Sequence, residues 1–263
     1  MNPGNADIQR NSGGLLEAHG EEISKTPAFR DCEQEPSAPA VHLKCAVITP
    51  IGPGHEALAQ EASASVEAAF RANPGPFAEV VHLPMPDLAG EQGRSRRRND
   101  GIDHAIANGI EWLFFLDADD LMALDAFASV GPHIRDFDAV FGMIAESRVE
   151  TPGQVKLRPN QLGATTSILD VLRCDPFLSL QMGHFVRTSS AAAIRFDVRM
   201  DTGEDFKYYL DLWNQYRCAK IDRVLFINRR GSHSVGPRSS DGGSWRNAVT
   251  RILKEFRPRL YPI

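Results

Sequence analysis

Trp112-Leu113-Phe114-Phe115-Leu116-Asp117-Ala118-Asp119-Asp120 decides how the rest of the chain is read. An apolar run with no polar break predicts a buried strand, parallel to its neighbours. It stops abruptly in three carboxylates. In an open α/β sheet, ligands sit beyond the carboxyl ends of the strands, so these acids fall where a site would lie. Carboxylates also suit hard cations such as Mg²⁺ or Mn²⁺. The plainer alternative is that Asp119 or Asp120 caps a helix over Leu121–Ser129.

Working outward, strands and helices alternate. Leu43–Thr49 reads as a strand, and Glu56–Ala72 as a helix stopped by Asn73-Pro74-Gly75-Pro76. Ala78–Leu83 is a second strand, and Ser95–Asn108 a helix with Ile102, Ala105 and Ile106 on one face. This order predicts an α/β fold with a mostly parallel central sheet and right-handed crossovers, flanked by helices. Beyond Asp120, Ala139–Ala145, Phe185–Arg187 and Ala219–Asn228 read as strands. Ile168–Arg173, Glu204–Tyr216 and Trp245–Phe256 read as helices, and Thr151–Ala164 as a polar loop.

Composition narrows the class. The chain has 263 residues, 42% hydrophobic and 24% charged, which fits a globular enzyme. A net charge of −5 argues against a dedicated nucleic-acid binder. Four cysteines, scattered and without metal spacing, fit reduced thiols and a cytoplasmic setting. Neither a signal peptide nor a membrane span is evident. Met1–Ala40 is polar and rich in Gly, Pro, Glu and Ser, so it is expected to be disordered, with a single folded domain from Val41 onward.

Two clusters bear on chemistry. Gly52-Pro53-Gly54 lacks the Gly-Lys-Ser/Thr of a phosphate loop and reads as a turn. Arg94-Ser95-Arg96-Arg97-Arg98-Asn99-Asp100-Gly101 is the densest positive cluster, set at a helix start, where backbone N–H groups favour anions and arginine forks match phosphate. A solvated charged face is the competing reading, above all for Arg96 and Arg97.

Taken in order, these motifs resemble the family 2 glycosyltransferases of GT-A fold. The resemblance rests on Gly93-Arg94-Ser95-Arg96-Arg97-Arg98-Asn99-Asp100-Gly101-Ile102 followed by Phe115-Leu116-Asp117-Ala118-Asp119-Asp120. Ile194-Arg195-Phe196-Asp197-Val198-Arg199-Met200, Gly203-Glu204-Asp205 and the opening Val47-Ile48-Thr49-Pro50 are similar to further family segments, so the match runs from about Cys45 to Trp213. It implies an inverting, metal-dependent transfer from a nucleotide-diphospho-sugar (a UDP- or GDP-sugar) to a hydroxyl acceptor, glycan or lipid-linked, in surface polysaccharide or glycoconjugate synthesis. Residues 41–120 would form the nucleotide-binding half and 121–263 the acceptor-side half.

By the same resemblance, Thr49 and Pro50 would line the nucleotide pocket, with Arg98 and Asn99 near the nucleotide. Asp117, with Ala118 beside it, would hold the ribose or metal side, and Asp119 would bind Mn²⁺ or Mg²⁺. Asp205 would be the catalytic base, with Glu204 adjacent on the substrate side. His233 would reach the metal from a late loop. The family's strand ending in Asp-Asp-Gly-Ser is compressed here to Phe77–Gln92, leaving Asp87 as the stand-in for the base-recognising aspartate.

Other readings stay open at this level. Thr202-x-x-Asp205 fits a capping box, and His233 reads equally as a solvated loop histidine. A nucleotidyltransferase would share the sheet and acids, and a non-catalytic nucleotide-sugar-binding protein would share the fold. A peripheral scaffold at the inner face of a membrane would use Trp245, Ile252, Leu253 and Phe256 among Arg246, Arg251, Lys254 and Arg257. Such a helix can equally pack on its own domain.

Overall fold

Strand β1 (Leu43–Ile51) explains the layering. Its residues alternate between two cores: Cys45 and Val47 face one, Ala46 and Ile48 the other. Strand β3 (Trp112–Phe115) does the same, with Trp112 and Phe114 on one side and Leu113 and Phe115 on the other. Both faces of these strands are therefore covered, which is why their sequences are continuously apolar. The computed structural model describes residues 43–231 and 243–257, within one compact unit that runs from Val41. The expectations for Met1–Ala40 and for His233 lie outside the described residues.

Helices α1 (Glu56–Ala72) and α3 (Ala126–Val130) cover one face with Ala62, Val66, Phe127 and Val130. Helices α2 (Gly93–Ala107), α6 (Thr188–Ile194), α7 (Glu204–Gln215) and α8 (Gly243–Glu255) cover the other. Gly101 lets α2 approach β1 closely, since a Cβ there would lie 2.6 Å from Ile48 Cγ2. Burying a Phe or Leu in such a core stabilises the fold by about 1.5–3 kcal/mol per side chain.

Strand β2 (Phe77–Pro86) and β3 flank β1, all three parallel. Strand β7 (His184–Arg187) then enters antiparallel between β3 and β5 (Ala139–Arg148). Strand β8 (Cys218–Arg230) runs parallel to β5, and the short β4 (Leu121–Met122) closes antiparallel on β8. The α/β class matches the expectation, but the sheet is mixed beyond β3. A buried apolar strand reads alike in either direction, so its pattern could not set the sense of β7.

Two local expectations change. The loop expected over Thr151–Ala164 begins with strand β6 (Thr151–Leu157), paired antiparallel with β5. Pro152 and Gly153 are poor strand formers in a sheet interior, but edge positions tolerate both residues. The helix expected from Leu121 starts only at Ala126, because β8 captures Leu121 and Met122 first. The helix expected over Ile168–Arg173 is present as α4 (Ile168–Arg173), and a short α5 (Pro176–Ser179) follows it before β7.

Helix α8 packs on its own domain. Ala248, Val249 and Ile252 are buried, and Trp245 and Phe256 pack against the same core. Gly203 makes room for this contact, since a Cβ there would lie 2.9 Å from Ala248 Cβ. Three of the four apolar residues that could serve a membrane surface are thus used by the core, while Leu253 is exposed. Among the described residues no helix is long and apolar enough to cross a membrane.

Candidate active site

The ends of β2, β1 and β3 deliver their following residues to one edge of the sheet. Leu116 N–H donates to Ile48 O at 3.0 Å, and Asp87 N–H to Ile51 O at 2.8 Å, so Asp117 and Asp87 flank the end of β1. Asp87 is committed to α2. Its carboxylate accepts the backbone N–H groups of Glu91, Gln92 and Gly93 at 3.1, 3.0 and 2.7 Å. The Gly93 bond foremost, with the others, holds this carboxyl below the usual range. These bonds hold the start of α2 against the end of β2.

From that start, α2 aims two arginines across the edge. Arg98 is 1% exposed, and its Nη2 donates to Asp117 Oδ1 while Nη1 lies 3.6 Å from Glu204 Oε1. Arg94 Nε donates to the same Glu204 oxygen. Glu204 and Asp205 open α7, so the two arginines tie the acidic end of β3 to the acidic start of α7. Burial disfavours ionised Asp117, but Arg98 and Arg94 outweigh it and hold the carboxyl low. Asp205 goes the other way. Burial foremost, with the Glu204 charge added, raises it to about 6 against the pull of Arg94 and Arg98.

The capping-box reading of Asp205 fails. Helix α7 starts after Gly203 in the left-handed region, at φ +77, with no side-chain cap, and Thr202 takes no part. Asp205 Oδ1 accepts the adjacent Phe206 N–H at 2.7 Å.

After β3, the acidic loop gathers Asp117, Asp119 and Asp120, with one ligand atom of each within 4.8 Å of the others. Asp117 and Asp119 are partly exposed, whereas Asp120 is buried. Asp120 Oδ1 accepts Asn228 Nδ2–H at 2.9 Å and Arg229 N–H at 3.0 Å. Burial, then the charges of Asp119 and Asp117, push its carboxyl well up, partly offset by these two donors. It therefore caps no helix. The oxygen donor set fits a hard divalent cation.

Several expected site residues are placed elsewhere. Thr49 is fully buried, its hydroxyl 3.0 Å from His82 Nε2, and His82 Nδ1 lies 3.0 Å from Ser63 Oγ. Thr49 thus braces β1 against β2 and α1 instead of lining the edge. Pro50 and Ala118 are also buried. Asn99 spends both ends of its amide on Phe196, donating to its O and accepting its N–H at 2.9 Å each. It pins the Arg195–Met200 segment to α2. Glu204 is 1% exposed and stands behind Asp205, holding Arg94 and Arg98. Two participants were missed: Arg94, hidden in a run of arginines, and Arg229, 110 residues from Asp119 and without a local signal.

Arg98 is therefore internal, which sets an expected result. Arg98→Ala leaves Asp117 and Glu204 without their shared cation, and breaking a buried pair from one side costs about 3–5 kcal/mol. Arg96 is exposed, so Arg96→Ala is expected to stay within about 0.5 kcal/mol. Urea denaturation of the two variants separates the buried role from diffuse surface charge; equal midpoints contradict it.

The sequence matches no family model and no curated protein. Solved structures do match in three dimensions. S. aureus TarS superimposes with a TM-score of 0.58 at 16% identity, over 83% of this chain and 41% of that one. The fold is GT-A. TarS 1–349 in complex with UDP-GlcNAc gives a TM-score of 0.58 at 16% identity, over 83% of this chain and 68% of that one. GalNAc-T7 with UDP, GalNAc and Mn²⁺ gives 0.51 at 10% identity, over 81% of this chain and 48% of that one. The GT-A likeness is one of fold, and the chain spans less than half of full-length TarS.

Proposed function

We propose that this chain is an inverting, divalent-metal-dependent glycosyltransferase, of hexosyltransferase type and akin to family 2. It transfers a sugar from a UDP- or GDP-sugar to a hydroxyl acceptor on a glycan or lipid-linked carrier, in polysaccharide or glycoconjugate synthesis. The observation that carries the reading is the joining, through Arg94 and Arg98, of the acidic end of β3 to the acidic start of α7. Supporting it, TarS has been crystallised with UDP-GlcNAc, and GalNAc-T7 with UDP, GalNAc and Mn²⁺, both on this fold.

In this reading Asp117 and Asp119 hold Mn²⁺ or Mg²⁺, which when bound neutralises the diphosphate leaving group. Arg94, one-third exposed, adds a cation at the same edge. Asp205 accepts the proton of the acceptor hydroxyl as that oxygen bonds to the anomeric carbon. The sugar's bond to the diphosphate breaks on the opposite face, and its electron pair leaves with the nucleoside diphosphate. A carboxyl raised to about 6 suits this task, since it is ionised at neutral pH yet basic enough to take a proton.

The test is a thermal-shift screen of the full chain with UDP, GDP, CDP and their sugars, with and without Mn²⁺. A ligand that binds only the folded state raises the midpoint with its affinity. A Mn²⁺-dependent rise with one nucleotide diphosphate is expected. No rise with any of them sinks the transferase reading in favour of a non-catalytic role for the fold.

A further inference from the structure

Arg229, near the end of β8, is 2% exposed, yet it lies apart from the cluster of Arg94, Arg98 and Glu204. Its guanidinium reaches three acceptors on two elements. Nε donates to Asp119 O at 2.5 Å, Nη1 to Glu61 Oε2, and Nη2 to Leu58 O at 3.2 Å. Its own backbone N–H donates to Asp120 Oδ1 at 3.0 Å, joined by Asn228 Nδ2–H at 2.9 Å. One residue thus holds the main chain of Asp119, the side chain of Asp120, and the first turns of α1.

We infer that Arg229 is a positioning residue, a latch that fixes the acidic loop after β3 against α1 so that Asp117 and Asp119 face the sheet edge while Asp120 serves as an inner strut. The physical case is geometric. The loop is short and is held at both ends, by Leu116 N–H on Ile48 O before it and by the pairing of Leu121–Met122 with β8 after it, while between them its own backbone makes the Asp120 N–H bond to Asp117 O. A planar fork can satisfy a carbonyl on one side and a helix on the other at once; a lysine ammonium is a single point and cannot. Removing groups that orient metal ligands typically weakens metal affinity 10–100-fold. Glu61, with a side chain 60% exposed, anchors the fork from the solvent side.

The latch is tested first without metal. Hydrogen–deuterium exchange of the full chain is followed in peptides covering 116–123, with α7 as the internal reference. Arg229→Lys is expected to speed exchange of the loop about fivefold or more, as loss of one charge-assisted hydrogen bond implies. Glu61→Ala substitutes an exposed helix position with a good helix former, so it folds even where Arg229 variants do not, and is expected to speed the same peptides. Wild-type exchange of the loop in both variants overturns the latch.

A second arm titrates Mn²⁺ alone, reading the free ion by electron paramagnetic resonance. This arm rests on the metal reading proposed above. Arg229→Lys is expected to weaken Mn²⁺ binding 10–100-fold with the melting temperature of α7-containing core retained. Affinity equal to wild type overturns the positioning role. Absence of Mn²⁺ binding by the wild type would instead sink the metal reading, while the exchange arm still judges the latch.

Discussion

Asp205→Asn is expected to leave donor and Mn²⁺ binding intact while lowering transfer by ~10²–10⁴-fold, the usual cost of losing a general base. The amide is nearly isosteric, and its oxygen can still accept the Phe206 N–H that Asp205 Oδ1 accepts at 2.7 Å. Stability should therefore change by less than about 1 kcal/mol, because that first-turn bond is kept. The pH profile gives an independent reading. A base must be deprotonated to work, so kcat/KM should fall as pH drops below about 6 and level off above it. The groups that set this midpoint are burial and Glu204, which raise it, and Arg94 and Arg98, which lower it. Arg94→Gln should accordingly shift the acid limb upward. Turnover of Asp205→Asn near the wild-type rate would remove the residue from the chemistry, and Glu204 is a poor substitute, being 1% exposed and paired with both arginines.

Asp119→Ala is expected to abolish Mn²⁺-dependent nucleotide binding while the melting temperature holds. Asp119 is partly exposed at the sheet edge, and it is the main-chain carbonyl, retained in alanine, that Arg229 grips. Losing one of two outward carboxylates removes half the charge that neutralises a divalent cation there. Isothermal titration with Mn²⁺ and each nucleotide diphosphate measures the effect directly. Wild-type affinity would return the acidic loop to a structural role. Asp120→Ala is a useful contrast, since it should fail by unfolding the loop: its carboxylate accepts from Asn228 and Arg229 inside the protein.

Much of this was legible locally. Glu56–Ala72 reads as a helix with the observed bounds, because Ala and Val recur at helical spacing and Asn73-Pro74 ends it. The run from Trp112 to Phe115 was legible as a doubly covered strand because no polar residue interrupts it. Its termination in Asp117, Asp119 and Asp120 marks the carboxyl-end edge of the sheet, where ligands of open α/β sheets generally sit. The arginine run was legible as a cluster, but not the direction of each member. Helical geometry separates Arg96 from Arg98, yet only the packing of α2 against β3 and α7 turns Arg98 inward to Asp117 and Glu204.

What the sequence by itself determined is the kind of element at each place and the acids that end β3 and begin α7, since periodicity and local chemistry reside in neighbouring residues. Tertiary structure alone decided which carboxylates are supports and which face the edge. Asp120 differs from Asp119 only because β8 brings Asn228 and Arg229 to it from more than a hundred positions away. It decided equally that β7 runs antiparallel and that Thr151–Leu157 pairs as an edge strand, because backbone hydrogen bonds do not depend on side-chain pattern. It turned the apolar face of α8 onto its own core, where Gly203 leaves space for Ala248. Each of these outcomes depends on a partner distant in sequence, and no local pattern encodes which partner that is.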